Sequence, residues 1–352
     1  MSQTIESQDL TTYLEQAVGR EPKLQAAAGV LRAIAVGAIE LSALIGLGRL
    51  QGQFGASRNS TNTDGDVQKV LDVVANDIFV EALKRAPVAA VVSEELNAPL
   101  VLDPEGPLVV AMDPLDGSSN VDANVSIGTI FSVLPAFPEA GDAEAPFLQP
   151  GRRQIAGGFV IYGPQTSLVF TWGGEPTLIF ILDRPAGRFI QTKLPPSIPK
   201  DQAEYAINAS NARHWDVPVQ AFINDCQQGA DGPLKRNYNM RWTGSLVADA
   251  YRILLRGGVF LYPDDRRAGY KDGRLRLLYE AIPVALIIER AGGLASNGID
   301  PILDIVPKAI HARVPLVFGS SSLVELVARY HDDPQFTAEH APLFGNRGLL
   351  RL

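Results

Sequence analysis

A short apolar run at residues 107–112 leads directly into the segment Asp113-Pro-Leu-Asp116-Gly-Ser-Ser-Asn120. The run predicts a buried strand that delivers Asp113 at its C-terminal end. Pro114 fixes φ and favours a turn, so Asp116 can point to the same place as Asp113. Two carboxylates suit Mg²⁺, which prefers oxygen ligands. The Gly and Ser residues that follow offer N–H groups and hydroxyls to a phosphate.

The same segment has a plainer interpretation, because Asp, Pro and Gly all favour ordinary turns. A second apolar run, residues 88–93, ends in Ser93-Glu94-Glu95, which by itself is typical of a solvated strand end. Two strand ends that both carry paired carboxylates are less ordinary. Two unit charges about 4 Å apart repel by about 4 kcal/mol at an effective dielectric of about 20. If these carboxylates converge, a divalent cation would offset the repulsion.

Helix and strand patterns are mixed in both halves of the chain, which predicts a layered α/β (α+β) fold. The predicted strands are 88–93, 107–112, 126–134, 154–162, 166–172, 177–182, 204–208, 259–262 and 315–319. The predicted helices are 26–48, 66–84, 244–256, 275–291 with an interruption at Pro283, and 323–330. Segments 51–65 and 135–153 are predicted loops. Three prolines within residues 193–201 mark the boundary between an N-terminal lobe, 1–195, and a C-terminal lobe, 196–352.

Composition excludes several classes of function and location. The formal net charge of −8 makes the chain a poor general binder of nucleic acid or acidic lipid. The single Cys226 cannot form an internal disulfide, and residues 1–10 contain no apolar signal region, so we expect a cytoplasmic location. The apolar stretch 26–48 contains Arg32 and Glu40 and has helical spacing, which predicts a buried helix and no membrane partner.

Several strings of residues, in order from about Asn59 to Gly319, resemble the class I fructose-1,6-bisphosphatases. They are Val92-Ser-Glu94-Glu95, Asp113-Pro-Leu-Asp116-Gly-Ser-Ser-Asn120, Ile207-Asn208, Arg241-Trp-Thr-Gly244-Ser-Leu-Val-Ala-Asp249, Gly257-Gly-Val-Phe-Leu-Tyr262-Pro and Leu275-Arg-Leu-Leu-Tyr279-Glu280. The Asp-Pro-x-Asp-Gly-Ser motif is shared by the wider Mg²⁺-dependent, lithium-sensitive phosphatases. The last two strings are more specific to the fructose bisphosphatases.

The resemblance implies a two-lobed αβαβα layered sandwich that removes the 1-phosphate of fructose 1,6-bisphosphate. It implies about two or three Mg²⁺ ions per site, with Mn²⁺ as an alternative, and direct transfer of the phosphoryl group to water. The implied metal ligands are Glu94, Asp113, Leu115 (through its carbonyl), Asp116, Glu280 and Asp66. Asp72 and Glu95 would polarise the attacking water. The implied substrate contacts are Asp116, Gly117, Ser118, Ser119, Asn208, Arg241, Trp242, Phe260, Leu261, Tyr262 and Arg274.

Some of these residues, taken one by one, could serve the fold alone. Asp72 lies in an apolar helix, where burial would suit a general base, but it could also be an exposed helix-face charge. Asn208 could simply cap a turn, Tyr262 could lie at the edge of the core, and Arg274 could be a surface charge. Glu280 lies within an apolar helical run, where an unpaired carboxylate would be costly, so a metal role is favoured for it.

The family resemblance also implies a homotetramer, with Arg241 acting in the site of a neighbouring subunit. Trp242 stands where the family usually has Tyr, and Arg274 stands where Lys is usual. Both changes fall in the pocket for the sugar and the distal phosphate, so sedoheptulose 1,7-bisphosphate is a second candidate substrate. An inositol phosphate, a nucleotide 3′,5′-bisphosphate and a non-catalytic scaffold are further alternatives. Gluconeogenesis and the photosynthetic carbon cycle both stay open as the physiological setting.

We predict weak or absent inhibition by AMP. AMP-inhibited members of the family carry a Thr-Gly-Glu-Leu-Thr-like string near the N-terminus, which the corresponding region of this chain, residues 19–28, lacks. Pro107 and Leu108 stand where a Lys-Tyr pair would help to bind AMP, and their side chains have no donor for a phosphate. Titration of AMP against activity at fixed Mg²⁺ tests this prediction, and inhibition at micromolar AMP would contradict it.

Overall fold

The computed structural model describes residues 8–19, 21–51, 57–61, 67–137 and 142–333. Within these ranges the helices are α1 (Leu10–Ala17), α2 (Pro22–Leu47), α3 (Val70–Leu83), α4 (Val217–Gln228), α5 (Leu246–Arg256), α6 (Ile282–Arg290) and α7 (Ser321–Asp332). The strands are β1 (Ser57–Thr61), β2 (Val67–Lys69), β3 (Val88–Ser93), β4 (Leu100–Val101), β5 (Leu108–Asp116), β6 (Ile127–Pro135), β7 (Ala156–Tyr162), β8 (Thr166–Trp172), β9 (Leu178–Asp183), β10 (Arg188–Gln191), β11 (Glu204–Ala206), β12 (Asn239–Met240), β13 (Val259–Tyr262), β14 (Leu275–Arg276), β15 (Leu294–Ser296), β16 (Arg313–Val314) and β17 (Leu316–Gly319).

An eight-stranded sheet dominates the N-terminal half, in the order β10-β9-β8-β7-β6-β5-β3-β4. Its central strands are buried along their whole length, which explains their continuous apolar sequences. Successive side chains point to opposite faces. Phe131 therefore packs with α1, α2 and α3, whereas Ile130 packs with α5 and α6 on the other side.

A five-stranded sheet, in the order β12-β11-β13-β17-β15, forms the second β layer. One face packs on α5 and α6 through residues such as Phe260 and Phe318. The other face packs on α4 and α7 through residues such as Val259 and Leu261. The layers thus follow the order helices, sheet, helices, sheet, helices. The predicted αβαβα layered sandwich is confirmed.

Helix α2 corresponds to the apolar stretch that we interpreted as a buried helix. Twelve of its residues are buried, many of them against the first sheet and α3. Within the described ranges it is the one helix whose length and composition would allow it to cross a membrane, with 44% of its most apolar window buried.

Several boundaries differ from the sequence-based prediction. The predicted helix 275–291 is instead strand β14, a π-helical turn at Leu277–Ala281, and α6. The π-helical turn runs directly into α6, so the predicted interruption at Pro283 is a change from π-helix to α-helix and not a break in the helical segment. The predicted loop 51–65 contains β1, and the predicted helix 66–84 begins only after β2. Sequence patterns did not indicate α1, α4, β10 and β15, which are short or weakly patterned.

Gly128 lets α5 approach the first sheet closely. It lies in β6 directly opposite Asp116 of β5. A Cβ atom on Gly128 would lie 2.4 Å from the Val160 carbonyl oxygen and 2.6 Å from a methyl carbon of Val247 in α5. A side chain at this position would therefore push α5 away from the strand that carries Asp116.

We predict that Gly128→Ala lowers the free energy of unfolding by about 1–3 kcal/mol, because the added methyl group overpacks a backbone contact. Chemical denaturation measures the change. The matched control is Gly46→Ala in α2, whose Cβ would approach no atom closer than the 3.4 Å to Arg184 Nη1. The control should be neutral or stabilising by up to about 1 kcal/mol, since Ala favours helix. Equal effects of the two substitutions would contradict the prediction.

Candidate active site

A bulge in β5 brings Asp113 and Asp116 to the same side of the first sheet. Asp113 pairs with Ile130 and Asp116 pairs with Gly128, so three steps on β5 match two steps on β6. In a regular strand, residues three apart point to opposite faces. The extra residue of the bulge corrects this alternation. The turn that we predicted at Pro114 is therefore wrong, because the strand continues through it and Thr129 donates a hydrogen bond to the Pro114 carbonyl at 2.9 Å.

Glu94 reaches this region because β3 and β5 are parallel neighbours. Ser93, the last residue of β3, pairs with Met112, the residue before Asp113. The Glu94 amide then donates to the Met112 carbonyl at 3.2 Å. Carboxylates that follow adjacent parallel strands thus meet at the same edge of the sheet. The convergence of the two strand ends is as expected.

Glu280 comes from the C-terminal half, on the π-helical turn Leu277–Ala281. Carboxylate oxygens of Asp113, Asp116 and Glu280 all lie within 4.8 Å of one another, and all three side chains are buried. The Arg276 amide donates to the Glu280 carboxylate, and the Arg276 guanidinium forms an ion pair with Glu94 at 2.9 Å. π-helical turns are rare and occur often at functional sites.

The electrostatics of this carboxylate cluster favour a bound cation. Burial raises the pKa of Asp116 to about 7 and that of Glu280 to about 8, and Glu94 adds to both shifts. The pKa of Asp113 is raised well above its usual value, first by burial and then by Glu94, Asp116 and Glu280. The three carboxylates are thus hard to ionise together without positive charge between them. Their oxygen donors fit Mg²⁺ or a similar divalent ion.

The N-terminus of α5 faces the same point. The Val247 amide donates to Asp116 Oδ2 at 3.2 Å, which opposes the burial effect on the pKa of that carboxyl. Gly117 follows with φ 77°, a conformation that Gly adopts without strain. Ser118 and Ser119 begin the next 3₁₀ turn, in which Asn120 donates a 2.9 Å hydrogen bond to the carbonyl of Gly244, two residues before α5 begins.

The two residues expected to polarise water differ in their surroundings. Asp72 lies in the first turn of α3 and is 5% exposed, so it is not the exposed helix-face charge that the sequence left open. Helix α3 packs against β5, the strand that carries Asp113. Glu95 is half-buried, and its amide donates to the Ser93 hydroxyl at 3.2 Å. Asp66, the remaining expected metal ligand, lies outside the described residues.

A separate open pocket lies at the end of β11 and β13, with Asn208, Leu261, Tyr262 and Arg274 in its lining. The Arg274 guanidinium lies 5.8 Å from the centre of the Tyr262 ring and 4.7 Å from that of the Tyr270 ring. Burial raises the pKa of Tyr262 and the Arg274 charge opposes this shift. Four of the expected substrate contacts therefore share one pocket, and it contains a guanidinium suited to a phosphate.

Two other expected contacts, Trp242 and Phe260, lie beside this pocket, and a third, Arg241, contacts Glu204 outside its lining. Phe260 is 1% exposed and stacks on Trp242 and Phe318, with ring centres 5.5 and 4.8 Å away. It forms part of an aromatic core next to the pocket. Arg241 has a 47% exposed side chain, and its Nε donates to Glu204 at 3.0 Å.

Arg276 and Glu204 had no role predicted from the sequence. Arg276 links Glu94 and Glu280, and its position within the string Leu275–Glu280 was a signal that could have found it. Glu204 is buried and accepts hydrogen bonds from three arginines, Arg241, Arg252 and Arg256. No sequence spacing indicates that contact, because the three arginines come from outside the strand that carries Glu204.

The chain matches two family models, "Fructose-1-6-bisphosphatase, N-terminal domain" over residues 12–194 and "Fructose-1-6-bisphosphatase, C-terminal domain" over residues 198–332. It is 52% identical to the fructose-1,6-bisphosphatase class 1 of Rhizobium meliloti, covering 97% of this chain and 98% of the relative. It is 51% identical to the enzyme of that name from Rhodopseudomonas palustris strain HaA2, covering 98% and 99%. The crystal structure of Leishmania major fructose-1,6-bisphosphatase in holo form is 33% identical, with a TM-score of 0.86 and coverage of 93% and 99%.

The raised pKa values predict that the metal-free protein loses stability as pH rises. Between about pH 5 and about pH 8 the folded carboxylate cluster holds more protons than the unfolded chain, so the free energy of unfolding falls across this window. We expect Asp116→Asn to reduce the slope of the free energy of unfolding against pH by up to about 1.4 kcal/mol per pH unit, because the amide does not titrate. Denaturation in chelator at several pH values measures it. Asp332→Asn, which removes an exposed carboxylate outside the cluster, is the control. A slope that Asp116→Asn does not alter, or that both variants alter equally, would refute the prediction.

Proposed function

Because the chain belongs to the class I fructose-1,6-bisphosphatase family, we propose that it hydrolyses the 1-phosphate of fructose 1,6-bisphosphate, giving fructose 6-phosphate and inorganic phosphate. The observation that carries the proposal is the buried cluster of Asp113, Asp116 and Glu280, with carboxylate oxygens within 4.8 Å of one another. This cluster is adjacent in the chain to Gly117, whose turn offers N–H groups to a phosphate.

The family is metal-dependent, and we propose that Mg²⁺ is the resident ion, with about two or three ions per site. Glu94, Asp113, Asp116 and Glu280 would hold the metal, with the Leu115 carbonyl and Asp66 as further ligands. When bound, the metal would supply Lewis-acid stabilisation of the phosphate oxygens. The chemistry of the donor set supports this assignment, because the residues are hard oxygen donors with too little positive charge around them.

Residues of the protein would bind the 1-phosphate and activate the attacking water. Gly117, Ser118 and Ser119 would donate hydrogen bonds to the 1-phosphate, alongside Asp116. Asp72 and Glu95 would orient the attacking water and accept its proton, a role that the burial of Asp72 supports. The phosphoryl group would then pass directly to water.

The distal pocket would bind the rest of the substrate. Asn208, Tyr262 and Arg274 would hold the 6-phosphate and the sugar, since these residues share one pocket. Leu261 lines the same pocket, and Trp242 and Phe260 support it through the adjoining aromatic core. The bidentate guanidinium of Arg274 is suited to a phosphate.

We further propose a homotetramer in which Arg241 completes the site of a neighbouring subunit. Trp242 packs against Phe260 and Tyr262 of its own subunit, whereas the adjacent Arg241 contacts Glu204 and keeps an exposed side chain. Trp242 therefore borders the pocket through Tyr262, whereas Arg241 contacts Glu204, which lies outside the pocket lining. A reciprocal interface would let each Arg241 serve the other subunit.

The lobes and the cellular setting are also proposals. We propose that the chain divides into lobes at 1–195 and 196–352, which the meeting of the two family models near this point supports. We propose a cytoplasmic location and no membrane or nucleic-acid partner, supported by the net charge of −8. The family acts in carbohydrate metabolism and gluconeogenesis. A role in the photosynthetic carbon cycle is a further proposal.

Sedoheptulose 1,7-bisphosphate is the second candidate substrate. The observation that favours it is Trp242, which stacks on Phe260 and borders Tyr262 where the family usually has Tyr. This substitution changes the wall beside the distal pocket and leaves the carboxylate cluster unchanged. The reaction type would be the same for both substrates, and only the length of the sugar would differ.

The decisive experiment measures phosphate release by the purified protein with Mg²⁺ from four substrates side by side. They are fructose 1,6-bisphosphate, sedoheptulose 1,7-bisphosphate, inositol 1-phosphate and a nucleotide 3′,5′-bisphosphate. We expect release from the first, abolished by chelator and by Asp113→Ala. Release only from the inositol or nucleotide substrate would overturn the assignment of the distal pocket. No release from any of them would favour a non-catalytic scaffold. Full activity of Asp113→Ala would also favour it, because the release would then come from a contaminating phosphatase.

We predict that Arg241→Ala raises KM for fructose 1,6-bisphosphate by about tenfold to a hundredfold, because it removes a charge-assisted contact to phosphate. Steady-state kinetics measure the change. Arg256→Ala is the matched control, since it removes another exposed arginine from the same Glu204 carboxylate. The control should leave KM within about twofold of the original value, as expected for an exposed ion pair. Equal effects of both variants would assign the loss to Glu204 and not to a phosphate contact.

A further inference from the structure

His311 connects two of the segments that carry the carboxylates of the site. Its Nδ1 lies 2.9 Å from the Tyr279 hydroxyl, and its Nε2 lies 3.1 Å from the Leu96 carbonyl oxygen. Tyr279 immediately precedes Glu280 on the π-helical turn. Leu96 closes the turn that carries Glu94 and Glu95, through a hydrogen bond from its amide to the Ser93 carbonyl.

The two contacts fix the proton on the His311 ring. A backbone carbonyl oxygen only accepts, so Nε2 must carry the hydrogen and donate it to Leu96. In the neutral ring, Nδ1 is then an acceptor and takes the hydrogen bond of the Tyr279 hydroxyl. Both links are therefore directional. A replacement side chain can keep both hydrogen bonds only if it has an acceptor at the position of Nδ1 and a donor at the position of Nε2.

The partners of His311 are themselves held firmly. Tyr279 is fully buried, and it packs with Ile310 and with residues of β3 and β5. The Ala312 carbonyl accepts a hydrogen bond from the Leu277 amide at 2.8 Å, which joins the π-helical turn to the segment that carries His311. The ring of His311 thus links a rigid platform to the turn that carries Glu94 and Glu95.

We propose that His311 is a positioning residue for metal binding, which sets the distance between the Glu94-Glu95 turn and the π-helical turn that carries Glu280. This inference rests on one part of the proposed function, namely that Glu94 and Glu280 are metal ligands. The affinity of a site for a metal ion depends on the placement of its ligands. Loss of the two His311 hydrogen bonds should therefore weaken metal binding more than substrate binding. The distal pocket has none of these residues in its lining.

Binding of Mn²⁺ to the purified full-length protein, measured by electron paramagnetic resonance titration without substrate, provides the test. We expect His311→Ala to weaken Mn²⁺ binding by about threefold to tenfold, the effect of one to two lost hydrogen bonds. His311→Gln keeps a donor near Nε2, His311→Asn keeps an acceptor near Nδ1, and Tyr279→Phe removes only the hydroxyl link. Each should have a smaller effect than His311→Ala.

His331→Gln is the matched control, because this half-buried histidine lies on α7, where its Nδ1 is 3.8 Å from Asp216 and not next to the carboxylate cluster. It should leave Mn²⁺ binding unchanged. Mn²⁺ binding by His311→Ala equal to that of the original protein, or an equal loss in His331→Gln, would overturn the proposal. The proposal would also be overturned if the His311 and Tyr279 variants raised KM for fructose 1,6-bisphosphate but left Mn²⁺ binding and the Mg²⁺ activation curve unchanged.

The Mn²⁺ titration and the phosphate-release assay test the positioning role and the substrate assignment separately. Absence of phosphate release from fructose 1,6-bisphosphate by the original protein would refute the substrate assignment. The Mn²⁺ titration would still decide whether His311 positions the carboxylates. Conversely, normal hydrolysis with Mn²⁺ binding that does not depend on His311 would refute the positioning role alone.

Discussion

The placement of three carboxylates in a buried space is the constraint on which the rest of this structure depends. Asp113 and Asp116 lie on one strand and Glu280 comes from a distant part of the chain, and oxygens of all three lie within 4.8 Å of one another. Like charges held this close raise one another's pKa, as burial does. The fold has to bear that cost when no cation is present. The surroundings of the cluster are closely packed, because β5 is buried on both faces and α5 lies directly against Gly128.

Two local irregularities make the cluster possible. The bulge in β5 lets residues three apart point to one side, and the π-helical turn before α6 presents Glu280 towards them. Both features depart from the regular periods of strand and helix. They are stable here because buried strands and helices on both sides fix the flanking residues. Irregular backbone at a point of close charge approach is a common arrangement for a functional site.

The sequence predicted much of the fold and less of the site geometry. Long apolar runs located β5 to β9, and helical spacing located α2, because burial on a regular element leaves a periodic pattern. The bulge at Pro114 and the π-helical turn at 277–281 were missed, since Asp-Pro and Pro283 carry the same local signals as a turn and a helix break. Helix α4 was missed as well. The ion pair between Arg276 and Glu94 depends on tertiary packing and has no signal in spacing.

The two halves of the site follow from the two halves of the fold. The first sheet supplies Asp113 and Asp116, α6 is preceded by the turn with Glu280, and the second sheet supplies Asn208 and Tyr262 at its edge. The central helices α5 and α6 pack on both sheets at once, so they fix the carboxylate cluster relative to the distal pocket. A substrate with a phosphate at each end can engage both only if this distance is held. Under the proposed function, the layered sandwich would therefore fix the distance between the two phosphate sites, and the wall beside Trp242 would limit the length of the sugar between them.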